Sequence, residues 1–176
     1  YNNLSLIKHP NNLGYGAANK TGVIFAHKKN YKYVLYMDAD LTQNTKYIFD
    51  FIDLMNQNID FIKATRYALG GGSKGVSKFR KIISKGGNLI ASIFLRLPIT
   101  DYTNGFRAIK TDLLINFENE ENGFAYLIEE INKVSKKAKS YAEVPYILSV
   151  RNDLHSKSKF TYSIDVYLSY LKWLIK

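Results

Sequence analysis

Strands alternating with helices along most of the chain predict an α/β layered fold with a largely parallel sheet. Three observations carry that expectation. The strand-forming run Tyr33–Met37 ends in Asp38-Ala39-Asp40, and a second run, Ile59–Thr65, closes on Arg66-Tyr67. The segment between them places Ile48, Phe51, Ile52 and Met55 at helical spacing. Ligands of such sheets gather at the carboxyl ends of strands, so Asp38, Asp40 and Arg66 are expected to face one crevice.

Taken in order, Leu4-Ser5-Leu6-Ile7 reads as a short strand ended by His9-Pro10-Asn11-Asn12. Gly14-Tyr15-Gly16-Ala17-Ala18-Asn19 leads into a small-residue helix through Thr21 to His27. Gly14-x-Gly16 lacks the third glycine of a dinucleotide fingerprint and any Gly-Lys-Ser/Thr, so tight strand-to-helix packing is the better account of it. After the strand Tyr33–Met37 comes a helix from about Thr45 to Asn56, then the strand Ile59–Thr65 and a flexible run, Gly70-Gly71-Gly72.

Ser77 to Leu97 is helical again, with Phe79, Ile82, Ile83, Ile90, Ile93, Phe94 and Leu97 on one face and Lys81, Lys85, Asn88, Ser92 and Arg96 on the other. For most of its length this reads as a core-packing helix with a solvated basic face. Arg80 and Ser84, one turn apart, are the exception and are read as functional. Gly86-Gly87 weakens the middle and Pro98 stops the helix. The loop Thr100–Arg107 leads to a short segment near Leu113, a helix from about Phe124 to Lys137, and a strand-like piece from Tyr141 to Val150. Thr161–Lys176 is sharply amphipathic. It suits equally an interfacial membrane helix and a terminal helix covering the sheet, and it is too short to cross a bilayer.

The chemistry begins at Asp38-Ala39-Asp40. On an extended chain the two carboxylates point the same way and repel unless a cation lies between them. Their oxygens, with room for water and phosphate, suit Mg²⁺ or Mn²⁺ rather than zinc. The triplet alone fits a plainer alternative better: a strand ending in an Asx turn, with Asp40 capping the next helix. The arginines add weight to the functional side. Arg66, Arg80, Arg107 and Arg151 each fall in or beside a loop or helix start, where guanidinium suits bidentate binding of phosphate.

Bulk composition narrows the classes. The 25 Lys and Arg against 15 Asp and Glu give a net charge of +10, which favours anionic partners without choosing among them. There is no cysteine, hence no disulfide framework and no thiolate metal site, and three scattered histidines argue against a zinc enzyme. No apolar run reaches the roughly 20 residues needed to span a membrane. The sequence opens on Tyr1 rather than Met and goes straight into an apolar strand pattern, which reads as a fragment whose first part is missing.

The order of motifs then points to a family. Asn12-Leu13-Gly14-Tyr15-Gly16-Ala17-Ala18, Met37-Asp38-Ala39-Asp40-Leu41, and Asp60–Tyr67 with its following glycines come first. Arg80-Lys81-Ile82-Ile83-Ser84, Asp101–Arg107, Gly123-Phe124 with Glu129, Glu143-Val144-Pro145, and Arg151 followed by Ser156-Lys157 come after. This series resembles the dolichyl/polyprenyl-phosphate glycosyltransferases of glycosyltransferase family 2, of the dolichyl-phosphate mannosyltransferase kind, over nearly all of the chain up to Phe160.

The resemblance implies a GT-A (nucleotide-diphospho-sugar transferase) fold lacking its first strands. Residues 1–160 would form the C-terminal two-thirds of the domain, and 161–176 the amphipathic helix. It implies inverting, metal-dependent transfer of a hexose from a nucleotide sugar, of GDP-mannose or UDP-glucose type, to a polyprenyl or dolichyl phosphate. Asp38 and Asp40 would hold Mg²⁺ or Mn²⁺ on the donor diphosphate. Arg66, Arg80 and Ser84 would receive the lipid phosphate, and Asp101 would sit near the sugar. Arg107 and Glu129 would organise the pocket, and Arg151, Ser156 and Lys157 would belong to a segment closing over phosphates. An anionic membrane surface is the expected partner, on the cytoplasmic face of a membrane, with no nucleic acid.

The sequence departs from the family pattern in three places. The opening strands that hold base and ribose are lacking, so this fragment alone is expected to be inactive. Thr42, with Gln43 beside it and no proline, stands where the family often has Gln or His, which leaves a third metal ligand open. Leu154 replaces a glycine between Arg151 and Ser156. Three rival readings are a family 2 transferase acting on a hydroxyl acceptor in polysaccharide synthesis, a non-catalytic remnant that binds anionic lipid, and a nucleic-acid-binding module. The last lacks interleaved basic and aromatic residues.

Overall fold

The computed structural model describes residues 3–115, 118–149 and 164–176. Its elements are α1 (Tyr15–Lys28), β1 (Tyr33–Tyr36), α2 (Tyr47–Asn56), β2 (Phe61–Thr65), β3 (Gly72–Ser73), α3 (Lys78–Leu95), β4 (Arg107–Lys110), α4 (Thr111–Leu114), α5 (Tyr126–Ser135), β5 (Tyr141–Pro145), β6 (Ile147–Leu148) and α6 (Ile164–Ile175). The main sheet has the order β1-β4-β2-β5, and β3 pairs with β6 in a small second sheet. β4 runs antiparallel to both neighbours and β5 parallel to β2, so three of the four strands point the same way around one inserted reversed strand.

Side chains alternate across the sheet and build two cores. On one face Phe61 and Ile109 join Val23 of α1, Ile128 and Ile131 of α5, and Trp173 of α6. On the other, Ile62, Ala64 and Ala108 meet Tyr47 and Phe51 of α2. Helices thus cover both sides of the sheet, the layering that strands alternating with helices require. Toward its carboxyl end the first face changes character. Two residues beyond Phe61 stands Lys63, which is in register with Arg107 of β4, itself opposite Tyr36 of β1.

Two sequence expectations change here. Leu4–Ile7 forms no strand: Leu4 and Leu6 are highly exposed, and among the described residues β1, at the sheet edge, pairs only with β4. Without a ladder partner, an apolar run has nothing to bond its backbone to. The Gly86-Gly87 pair does not break α3, which continues to Leu95 and ends at Arg96 in the left-handed region (φ 49°). More consequential, the apolar face of α3 does not pack on the core. Phe79, Ile82, Leu89, Ile90, Ile93 and Phe94 are exposed, while Asn88 and Ala91 are the buried positions. The helix is held by its polar side: Asn88 accepts from the Tyr102 N–H (2.5 Å) and donates to Thr103 Oγ1 (3.0 Å).

α6 divides its apolar side chains. Trp173 and Leu174 are buried, Trp173 beneath Lys133, Lys172 and Lys176 with its indole N–H on Glu121 (2.9 Å). Leu168 and Ile175 remain exposed. Among the described residues no helix is long and apolar enough to cross a membrane.

Candidate active site

A cavity of about 1300 Å³ opens at the carboxyl ends of β1 and β2. Its lining includes Asp38, Asp40, Arg66, Arg80 and Ser84. The same lining has apolar members, among them Ile90 and Ala91 of α3, Leu127 of α5, and Tyr170, Leu171 and Leu174 of α6. The expected crevice is therefore present, and it is amphipathic.

β1 ends at Tyr36, and residues 39 and 40 lie in a turn, so strand periodicity is not what brings the two carboxylates to one cavity. Local hydrogen bonds do it. Asp40 Oδ1 accepts from the Thr42 N–H (3.1 Å) and hydroxyl (2.7 Å), an Asx turn. Asp40 caps no helix; α2 begins after Lys46 with no side-chain cap. Asp38 is gripped by Gln43, whose amide donates to Oδ2 (2.8 Å) and whose oxygen accepts the Asp38 N–H (2.9 Å). Gly105 closes the other side. A Cβ there would lie 2.8 Å from the Tyr15 hydroxyl and 3.6 Å from both Asp38 carboxylate oxygens, so a side chain at this position would have to displace the Tyr15 hydroxyl.

Arg66, at the end of β2, is locked to Asp101 by Nε to Oδ2 (2.7 Å) and Nη2 to Oδ1 (2.8 Å), and its N–H also reaches Oδ2 (3.1 Å). Nη2 further donates to Thr103 Oγ1 (2.9 Å) and Ser84 Oγ (3.2 Å), and the Ser84 hydroxyl bonds Tyr67 OH (2.8 Å). Burial, the largest single influence, pushes the Asp101 carboxyl up, but the bonds and charge of Arg66 and the charge of Lys63 outweigh it and hold the group below the usual range. Asp101 is fully buried behind Arg66 and does not line the cavity. Its action on a ligand therefore runs through the guanidinium it orients.

Arg107 is likewise enclosed rather than open to the cavity. It is paired with Glu130, stacked 3.8 Å from the Tyr36 ring centroid, and donates to Tyr15 OH (3.2 Å) and Gly105 O (2.7 Å). Burial weighs against its charge, but Glu130 beside it outweighs that and raises its pKa well above the ordinary arginine value. Lys63, also fully buried, donates to Asn104 O (2.5 Å). A buried ionic layer thus underlies the loop 103–105 and fixes it against the carboxylates.

Glu129, paired with Arg107 in the sequence expectation, faces elsewhere. It accepts from the N–H groups of Glu120 (2.7 Å) and Glu121 (2.9 Å) and from Lys133 (2.6 Å), away from the cavity. Its neighbour Glu130 is the partner of Arg107, because successive helical residues project about 100° apart. Arg151, Ser156 and Lys157 lie outside the described residues. Sequence reasoning passed over Tyr15, Lys63, Thr103 and Glu130 and left Gln43 without a role. The Tyr between Gly14 and Gly16 and the Lys inside an apolar strand were the available signals.

Among the described residues no three His, Cys, Asp or Glu side chains converge to hold a metal ion by themselves. A pair of carboxylates in a roomy cavity instead fits a hard cation completed by phosphate and water, as Mg²⁺ is commonly bound.

The glycosyl transferase family 2 model matches residues 1–117, which includes the carboxylate pair, Arg66, Arg80, Ser84, Asp101 and Arg107. The chain is 29% identical over 143 residues to the dolichol-phosphate mannosyltransferase of Pyrococcus furiosus, covering 78% of this chain and 40% of that protein. It is 27% identical over 135 residues to the undecaprenyl-phosphate mannosyltransferase of Micrococcus luteus, covering 75% and 55%. Against the polyprenol monophosphomannose synthase of Mycolicibacterium smegmatis it is 25% identical over 141 residues, covering 78% and 53%. The chain spans about half the length of the curated relatives it matches. With one continuous match to 117 of its 176 residues, and the α/β layering of the GT-A fold around the cavity, the chain belongs to glycosyl transferase family 2.

Proposed function

We propose that this protein transfers a hexose from a nucleotide sugar to a polyprenyl or dolichyl phosphate, with inversion at the anomeric carbon. The observation that carries the reading is the mixed lining of one cavity: carboxylates, guanidiniums and a serine together with apolar side chains of α3 and α6. Such a mixed lining fits a ligand with a phosphate head and a hydrocarbon tail. The names of the three relatives, each a mannose transferase or synthase on a polyprenyl phosphate, support the same acceptor and make mannose the first sugar to test.

In this reading Asp38 and Asp40 hold Mg²⁺ or Mn²⁺ at the donor diphosphate. A divalent cation there supplies charge stabilisation to the departing nucleoside diphosphate. Arg66, Arg80 and Ser84 take the lipid phosphate, with Asp101 and Thr103 fixing the plane of the Arg66 guanidinium. A phosphate monoester has a second pKa of about 6 and is already largely dianionic at neutral pH, so it needs no general base. Its oxygen forms the new bond to the anomeric carbon as the bond to the diphosphate breaks. What remains for the protein is to align two anions and offset their repulsion. The exposed apolar face of α3, flanked by Lys81 and Lys85, rests on an anionic membrane surface and brings the lipid to the cavity mouth.

The test uses the longest natural polypeptide carrying this sequence, with Mn²⁺, a short polyprenyl phosphate in detergent, and labelled GDP-mannose or UDP-glucose in parallel. Label is expected in the lipid fraction with one donor. Asp40→Asn should lower the rate by at least about a hundredfold, the scale of losing an electrostatic contact to developing charge. Transfer by Asp40→Asn at the wild-type rate would reject the metal role, and label in neither lipid product would reject the acceptor and donor classes together.

A further inference from the structure

The segment after the carboxylate pair has a built geometry that the proposed function does not use. Leu41 is an exposed leucine held at φ 62°, in the left-handed region that a branched-chain residue rarely adopts. Strain of this kind persists only where its surroundings impose it. Three bonds do so. Thr42 binds Asp40 through both its N–H and its hydroxyl, and its carbonyl accepts the Ser149 N–H (2.9 Å), tying the turn to the residue after β6. Because Leu41 reverses the chain, Gln43 returns beneath Asp38 and is almost fully buried (5% exposed). There its amide spans Asp38 at two points, oxygen to the main-chain N–H and nitrogen to carboxylate Oδ2.

We propose that Gln43 is a positioning residue that fixes the Asp38 carboxylate for a divalent cation, through the reversal at Leu41, and is not itself a ligand of that cation. The inference rests on the metal reading of Asp38 and Asp40 and adds to it. A side chain whose oxygen already accepts one hydrogen bond from the residue it holds, and whose nitrogen already donates another, is committed to orienting a ligand. A carboxylate bound at one oxygen and at its own backbone cannot swing about its side-chain torsions, so the cation meets a preset oxygen. Outer partners of this sort typically alter metal affinity by about 10–100-fold.

The experiment has two arms on the same protein. Mn²⁺ alone is titrated into wild type, Gln43→Met and Asp40→Asn, and free Mn²⁺ is read from its electron paramagnetic resonance signal. Gln43→Met keeps the volume and removes both bonds, and is expected to weaken binding at least about tenfold. An affinity equal to wild type overturns the inference while leaving the metal reading standing. If Asp40→Asn also binds Mn²⁺ as wild type does, the metal reading fails and the inference falls with it. The second arm needs only the wild type and so survives a misfolded variant: hydrogen exchange of the Asp38 amide with and without Mg²⁺. Protection in both conditions is expected. Loss of protection on adding Mg²⁺ would mean that Gln43 leaves Asp38 to coordinate the cation, which overturns a purely positioning role.

Discussion

Lys63 sits in an environment that opposes its charge. It is fully buried on β2, and burial, with the charge of Arg107 beside it, lowers its pKa from 10.5 to about 7, against the opposing pull of Asp101 and Glu130. Arg66 adds a further positive charge. The consequence for stability has a definite sign. Between about pH 7 and pH 10.5 the unfolded chain keeps a proton on this lysine that the folded chain sheds, so raising the pH favours folding. The limiting slope for one proton is about 1.4 kcal/mol per pH unit. Urea denaturation at about pH 7 and about pH 9 should show wild type gaining stability and Lys63→Met gaining far less. Equal gains in the two proteins would place the titration elsewhere. What the lysine contributes in return is its bond to Asn104 O, which sets the loop carrying Gly105 against Asp38.

Among the elements, the loop between α3 and β4 carries one buried ion pair among its ties to the sheet. Asp101 joins the end of β2 to the loop through Arg66, and Thr103 and Asn88 join the same loop to α3. Removing one partner of a buried pair leaves the other charge uncompensated, at a cost of about 3–5 kcal/mol. Asp101→Ala should therefore lower the free energy of unfolding by roughly that amount, less the share recovered because Arg66 keeps some solvent contact. It should also abolish transfer. A loss below about 1 kcal/mol by urea denaturation would mean that the pair is not what holds the loop. The pair fails in acid: with the Asp101 pKa lowered, its contribution is present above the ordinary carboxylate pKa and is lost as pH falls through the folded value. The same elements mark how far a sequence can be read. The periodicity of α2 and α5 and the terminal Asp38, Asp40 and Arg66 are local signals, and the helices and the shared crevice follow from them. β4 is not local. Its four residues begin with an arginine and end with a lysine, and among the described residues the acidic partner of that buried arginine is Glu130, 23 residues further on. Its place between β1 and β2 rests on ladders to strands distant in sequence, and no periodicity encodes it. For the same reason Glu129 and Glu130 could not be told apart before α5 had a partner.

At the scale of the molecule, the unusual distribution is of apolar surface. The sheet and its two cores bury ordinary residues, yet six large side chains of α3 and several of α6 stand exposed outside them. Isolated exposed apolar residues are ordinary; a row of them on one helix marks a contact surface. The chain carries a net charge of +10, with Lys81 and Lys85 on α3 itself, so the surface that complements it is anionic as well as apolar. A membrane leaflet has both properties, and a soluble acidic protein would need a matching apolar groove. The distinction can be measured by flotation with vesicles of neutral or anionic lipid at low and high salt. Binding is expected to anionic vesicles and to weaken with salt as the lysines are screened, without vanishing, since the apolar term is insensitive to ionic strength. Ile93 and Phe94 lie on the exposed face, outside the cavity lining. Changing both to Glu removes apolar contact worth about 1.5–3 kcal/mol for each side chain fully buried and adds like charge, so partitioning should fall by at least about tenfold. Transfer to a short acceptor in detergent should persist in that variant, because the cavity is untouched. Undiminished vesicle binding by the double variant would remove α3 from the membrane contact and leave the exposed side of α6, at Leu168 and Ile175, to account for it.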